Sequence, residues 1–383
     1  MNCLYNGSIL YKDQILEGKA LVFDAKIREI IDQHQLSNDA YAHLNKIDVE
    51  GNLISPGLMD IHFHGYQGYD VMSSDPQELI SLAQKITKNG VTSLLATTNT
   101  APLPSIESAL NTIRKLKNKN TEGAEILGAH LEGPFLSPLV PGAQDPKFIV
   151  PPSFEWLKSY TDMVYMITIA PEVPGALSFI QQVCSKTNIT VSMGHTNATY
   201  EEALLGIEAG VSHATHFFNA MTSLHHRKPG VVGAVLTSDN VKCELIADTI
   251  HVHPGLYPLL LKTKGIENLV LVTDCVPPAG LPDGKYQKGD RWIETKDGQI
   301  RLPDGTLSGS SLLLNQGLKN FQKHTNCSIP EVIQMASLNP AKTIGLDNKK
   351  GSLEIGKDAD IAVFDINFNA ILTVVNGNVV YKK

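Results

Sequence analysis

The pair His62-Phe63-His64 closes an apolar run over residues 53–61, and its spacing carries the first chemical consequence in the chain. Side chains two apart on a strand share one face. If the run is a strand, both imidazoles stand on the same side, about 7 Å apart along the backbone. One metal ion can then take a nitrogen from each. Alone, such a pair is a weak signal, but the chain repeats the construction. Other short apolar runs end in His130-Leu131-Glu132-Gly133-Pro134, in Gly194-His195-Thr196 and in His213-Ala214-Thr215-His216. A further run is followed by His251, and the last ends at Asp274. Imidazoles and carboxylates without a thiolate suit a catalytic divalent ion with an open coordination position. Each residue taken singly has a plainer reading. A lone His195 or His216 is usually a hydrogen-bonded core histidine, and a lone Asp274 can cap a helix. Residues of this chemistry at the same relative place in successive units are hard to ascribe to chance. His130 and His213 lie on the same runs and are expected to support the ligands rather than bind.

The elements that must position these residues can be read from the pattern. Short apolar runs occupy residues 91–96, 125–131, 163–170, 189–193, 214–218, 243–247 and 269–272, and the run before His62 makes eight. Amphipathic stretches over 76–89, 105–118, 175–186 and 200–209 separate several of them. Strands alternating with helices of that length make βα units and a parallel sheet. Eight units favour a (β/α)8 barrel, whose strand C-terminal ends meet at one mouth. No glycine-rich GxGxxG follows the first strand, so a dinucleotide-binding fold has no support. The two ends of the chain read differently. Short β-like runs at 4–10, 19–23, 27–31 and 47–49, and again at 360–364, 370–375 and 379–381, include an Asn376-Gly377 hairpin signal. The expected organisation is α/β: a (β/α)8 TIM-like barrel over 55–345, with a small β-sandwich formed by both termini, 1–54 and 346–383.

Whole-chain properties narrow the partners. With 383 residues, 42% hydrophobic and 19% charged, the chain is an ordinary globular protein with a large core. A net charge of −7 argues against nucleic acid or an anionic membrane, which need a basic face. No apolar run is long enough to span a bilayer, and the N-terminus has no signal-peptide pattern. The five cysteines are odd in number and widely spaced, which reads as free thiols in the cytoplasm.

Two further segments concern a ligand. The loop Phe217-Phe218-Asn219-Ala220-Met221 runs on to His225-His226-Arg227-Lys228-Pro229-Gly230, where an Arg fork suits phosphate or carboxylate. Leu307-Ser308-Gly309-Ser310-Ser311 is expected to open the last helical stretch and offer N–H groups and hydroxyls.

Together these motifs resemble a known family. Pro56-Gly57-Leu58-Met59-Asp60-Ile61-His62-Phe63-His64-Gly65 is similar to the opening signature of the amidohydrolase superfamily. His130-Leu131-Glu132-Gly133-Pro134-Phe135, Gly194-His195-Thr196, the His216 to Met221 loop, Arg227-Lys228-Pro229-Gly230 and Leu271-Val272-Thr273-Asp274 resemble its N-acetylglucosamine-6-phosphate deacetylase branch, over essentially the whole chain. The resemblance implies hydrolysis of an amino-sugar phosphate acetamide, with Asp274 as catalytic acid/base. It implies that Glu132, His195 and His216 hold the main divalent metal and His62 and His64 a second, so one or two ions per subunit. Zn, Fe, Mn or Co would all suit such donors. It implies a substrate site of Ala143, Gln144, Asn219, Ala220, Arg227, His251, Leu307, Ser308 and Gly309, in a homodimer whose arginine reaches the partner's site. Gln144 stands where some relatives have His, and Cys275 where many have Ala. The alternatives are another amidohydrolase, acting on a cyclic amide or a nucleobase, and an inactive scaffold on the same barrel.

Overall fold

The run ending in His62 is broken by Gly57, where a Cβ would lie 2.2 Å from the Thr92 side chain. Only a residue without a side chain lets the two backbones approach there. The break divides the run between two sheets. Leu53–Pro56 joins the terminal sandwich, and Leu58–Phe63 is the first barrel strand. In this computed structural model, which describes residues 1–117, 119–289 and 291–383, seven more parallel strands follow around the barrel. They are Val91–Thr98, Glu125–Glu132, Val164–Ile169, Thr190–Met193, His213–Ala214, Lys242–Ile246 and Leu269–Val272. The eighth strand returns to the first: the Asp274 N–H donates to the His62 carbonyl at 2.9 Å, and Phe63 pairs with Cys275. The expected α/β barrel is therefore the observed fold.

Helices on the outside bury the second face of the strands, so Leu58–Phe63 and Val91–Thr98 are buried throughout. Local chemistry starts these helices. Asp75 caps Pro76–Ile86 by accepting from the Gln77 N–H, and Thr199 with Glu202 forms a capping box on Tyr200–Ala209. The helix expected over 105–118 is Leu103–Leu116, and Asn118 lies outside the described residues.

The termini build two facing sheets. One orders Ile27–Asp32, Lys19–Phe23, Asn2–Tyr5 and Asn45–Asp48. The other orders Asn378–Lys382, Ala370–Val375, Ile361–Phe364, Leu53–Pro56, Ser8–Tyr11 and Gln14–Leu16. Leu4, Leu21 and Phe23 meet Ile9, Ile54, Val363 and Leu372 in the core between them. Among the described residues no helix is long and apolar enough to cross a membrane.

Two expectations are corrected and one element is added. The sixth barrel strand is only His213–Ala214 instead of 214–218, because His216 and Phe218 turn into left-handed backbone (φ 30° and 80°). Residues 307–309 do not open a helix. Leu307 pairs with Arg301 and the Ser308 N–H donates to the Ile300 carbonyl, while the next helix, Leu314–His324, starts later. Finally, a three-stranded antiparallel ribbon, Gly284–Lys288, Arg291–Lys296 and Gln299–Arg301, follows the eighth strand and was not anticipated.

Candidate metal centre and its pocket

Glu132 is the last residue of the third barrel strand, and four imidazoles surround its carboxylate. Oε1 lies 3.3 Å from His62 Nε2, 3.2 Å from His195 Nε2 and 3.2 Å from His216 Nε2. Oε2 lies 3.3 Å from His64 Nε2. Asp274 Oδ1 completes the set at 3.3 Å from His64 Nε2 and 3.6 Å from His62 Nε2. The donors fall into two groups, Glu132 with His195 and His216, and His62 with His64 and Asp274. The strand ends aim them by unusual backbone: His195, His216 and Asp274 all have positive φ (46°, 30° and 51°). Non-glycine residues in that region cost on the order of 1–3 kcal/mol each and persist where the surroundings enforce them.

The electrostatics are those of a buried charge cluster. Burial alone would raise the Asp274 carboxyl, but His62 and His64 beside it hold it down to about 2. Burial likewise opposes ionised Glu132, and His62, His195 and His216 outweigh it, so its pKa falls well below the usual range. For His62 burial disfavours the imidazolium, and Glu244, Glu132 and Asp274 together raise it well above the ordinary value. Such strongly shifted groups at a barrel mouth mark a functional site. The donors also fit a cation. His195 Nε2 and His216 Nε2 face each other at 3.0 Å, both 3.2 Å from one carboxylate oxygen, an arrangement that a shared divalent ion satisfies. All donors are N or O, as zinc and its neighbours in the first transition row accept.

A cavity of about 200 Å³ opens over this cluster. Of the sequence-predicted ligand residues, Ala143, Gln144, Asn219, Ala220, His251, Leu307 and Gly309 line it, beside His64, Glu132, His195, His216 and Asp274. Two expected residues are not on its wall. Ser308 is fully buried behind it and accepts from Lys288 Nζ at 3.3 Å. Arg227 lies in a neighbouring groove, exposed and 2.6 Å from His226 Nε2, because a tight His225–Lys228 turn carries it outward. Gln144 spans Glu132 Oε2 and the Thr100 N–H, so it orients the carboxylate as well as lining the pocket. The Cys275 side chain is buried and its carbonyl accepts from the His64 and Gly65 N–H groups, a structural role. His251 is steadied by Asp248, with Nδ1 2.6 Å from Oδ2.

His130 supports as expected: its ring packs edge-on against His62 and its nitrogens bond the Ile61 carbonyl and Thr168. His213, buried nearby, has no hydrogen-bond partner at either nitrogen. Sequence reasoning missed Lys288, Asn99 and Thr306 on the pocket wall, and Glu244 beneath the cluster. The signal for Glu244 was a single carboxylate inside the apolar run Cys243-Glu244-Leu245-Ile246.

A model of the amidohydrolase family matches residues 53–380. The chain belongs to that family. This amidohydrolase is 39% identical over 339 residues to the N-acetylglucosamine-6-phosphate deacetylase of Bacillus subtilis (strain 168), covering 86% of this chain and 85% of that protein. It is 36% identical over 346 residues to the N-acetylgalactosamine-6-phosphate deacetylase of Escherichia coli O157:H7, covering 88% and 91%. The crystal structure of N-acetylglucosamine-6-phosphate deacetylase from Pasteurella multocida superposes with a TM-score of 0.92 at 34% identity, covering 99% of both chains. Deacetylases as relatives disfavour the cyclic-amide, nucleobase and inactive-scaffold alternatives.

Proposed function

We propose that this amidohydrolase removes the acetyl group of N-acetyl-D-glucosamine 6-phosphate, giving D-glucosamine 6-phosphate and acetate in amino-sugar catabolism. The observation that carries the reading is the convergence of His62, His64, His195 and His216 on Glu132, with ionised Asp274 alongside, all but the buried His62 lining one pocket. In this reading Glu132, His195 and His216 hold the main divalent ion, and His62 and His64 a second that Glu132 also faces. A divalent ion bound there supplies Lewis acidity, lowering the pKa of water and polarising the acetamide carbonyl. Asp274, ionised at neutral pH, takes the proton of the attacking water as the C–O bond forms. It returns that proton to the nitrogen as the C–N bond breaks, because an unprotonated amine leaves poorly. His251, steadied by Asp248, stands on the pocket wall and helps to orient the acetamide. Asn219, Ala220, Ala143, Gln144 and the Leu307–Gly309 wall orient the sugar phosphate.

The same reading makes the enzyme a cytoplasmic homodimer. Support comes from Arg227, which is exposed outside its own pocket and so free to serve a second copy, and from the five unpaired cysteines, which suit a reducing compartment. The test is acetate release from N-acetylglucosamine 6-phosphate, its unphosphorylated form and N-acetylgalactosamine 6-phosphate, before and after chelation. The first substrate should turn over with kcat/KM at least about 100-fold above the unphosphorylated sugar, as loss of a charge-assisted contact implies. Chelation should abolish turnover, and added Zn²⁺ or Co²⁺ should restore it. Turnover confined to the galactosamine epimer would reassign the sugar, and no acetate from either phosphate would overturn the proposal.

A further inference from the structure

Glu244 sits in the middle of the seventh barrel strand, Lys242–Ile246, fully buried and off the pocket wall. A buried carboxylate costs several kcal/mol unless its surroundings compensate it. Its compensation here is unusual, because one oxygen serves both donor groups of the metal centre. Oε2 lies 2.8 Å from His62 Nδ1 and accepts from the His216 backbone N–H at 2.9 Å. The other oxygen has no hydrogen-bond partner, with His213 Nε2 3.9 Å away. The carboxylate is thus spent on two residues of the centre and on little else in the fold.

We propose that Glu244 is the positioning residue of the centre and that it fixes the tautomer of His62. In the one-proton form that can bind an ion, the imidazole of His62 is contested. On one side Glu132 Oε1 at 3.3 Å and Asp274 Oδ1 at 3.6 Å draw a proton to Nε2; on the other, Glu244 draws it to Nδ1. With the proton on Nε2 the ring would present N–H to the place where a cation belongs. With the proton on Nδ1 it presents a lone pair. Glu244 selects the second state, and the direction of a ligating imidazole is set in this way by the partner of its other nitrogen. The same oxygen holds the His216 N–H, and so the φ 30° backbone that turns that ring towards Glu132. One carboxylate therefore couples the His62/His64 group to the His195/His216 group.

The inference rests on the ion-binding reading of the site, and the experiment separates the two. Zn²⁺ affinity is measured by competition with a chelator, with metal content by atomic emission, for wild type, Glu244→Gln and Glu244→Leu. Gln keeps an acceptor oxygen of the same reach, while Leu removes it at similar volume. Zn²⁺ should bind Glu244→Leu about 10–100-fold more weakly and Glu244→Gln within about 10-fold of wild type, with KM of the loaded fraction unchanged. In the Zn²⁺-loaded wild type, ¹⁵N-histidine spectra should show His62 protonated at Nδ1 and not at Nε2. Wild-type affinity in Glu244→Leu, or protonation of His62 at Nε2, would overturn the proposal. Should Glu244→Leu not fold, the wild-type tautomer decides it. A wild type that takes up no Zn²⁺ would instead overturn the ion-binding reading.

Discussion

Asp274 has the most specific chemical demand of any residue in the site: it must be a base before the attack and an acid after it. Its environment supports the first state strongly, since His62 and His64 overcome burial and hold its carboxyl down to about 2. The second state needs the proton only briefly, while the charge at the reacting carbon collapses. Asparagine at this position keeps shape and one acceptor oxygen but cannot carry the proton. Asp274→Asn should therefore lower kcat by about 10²–10⁴-fold, the usual worth of a positioned acid/base, with KM little changed. The main ion should stay at wild-type content, because Glu132, His195 and His216 group without Asp274. Steady-state kinetics with metal analysis checks this, and activity within a few fold of wild type would remove Asp274 from the mechanism.

The elements carry these residues with different legibility. His62, His64, Glu132, His195, His216 and Asp274 could be placed from the chain because each ends an apolar run, and a parallel barrel brings all such ends to one mouth. Glu244 could not be placed that way, because it interrupts an apolar run instead of ending it, and burial hides its partners until the strands are closed. The small terminal sandwich was legible from its short runs and the Asn376-Gly377 turn. The ribbon Gly284–Lys288, Arg291–Lys296 and Gln299–Arg301 was overlooked although Asp297-Gly298 lies between two of its strands as a hairpin signal. It matters, because Lys288 is the one Lys or Arg side chain lining the pocket among the described residues. Arg291 ties the ribbon to the Ala143 carbonyl at 2.6 Å, so the ribbon and the loop that carries Gln144 form one wall. Lysine 288 is partly withdrawn from water, which lowers its pKa, while Asp274, Asp70 and Glu132 favour its charge. Lys288→Met should raise KM for a phosphorylated substrate about 10–100-fold, the worth of one charge-assisted hydrogen bond. The unphosphorylated sugar should be affected far less, and equal effects on both would deny Lys288 a part in binding the anion.

At the scale of the whole molecule, chemistry and stability occupy opposite ends of the same barrel. Glu132 ends the third strand at the metal centre, and Glu125 begins it about 23 Å away by strand rise. There Glu125 meets the C-terminal part of the chain through Lys350, whose Nζ lies 2.7 Å from Glu125, 3.2 Å from Asp358 and 2.6 Å from Asp360. Burial opposes the charge on Lys350, but Asp360 and Glu125 overcome it and raise its pKa. Asp360 in turn joins the sheets by accepting from the Asn376 N–H and, through its carbonyl, from the Gly57 N–H. Asp358 keeps Lys26 at 2.5 Å, but removing the ammonium leaves Glu125 and the buried Asp360 without a cation, so Lys350→Met should destabilise the fold by about 3–5 kcal/mol. The pH dependence has a definite sign. Burial already raises the Asp360 carboxyl, and without Lys350 it rises further. A carboxylate whose folded pKa exceeds its unfolded value stabilises the fold as pH falls, since the folded state binds the proton more tightly. The gap between variant and wild type should therefore narrow from pH 8 to pH 5, read as denaturant midpoints, while kcat at low temperature stays unchanged. A gap that widens on acidification would mean that the cluster is not held by Lys350, and a large loss of kcat in the folded variant would mean that the two ends of the barrel are coupled.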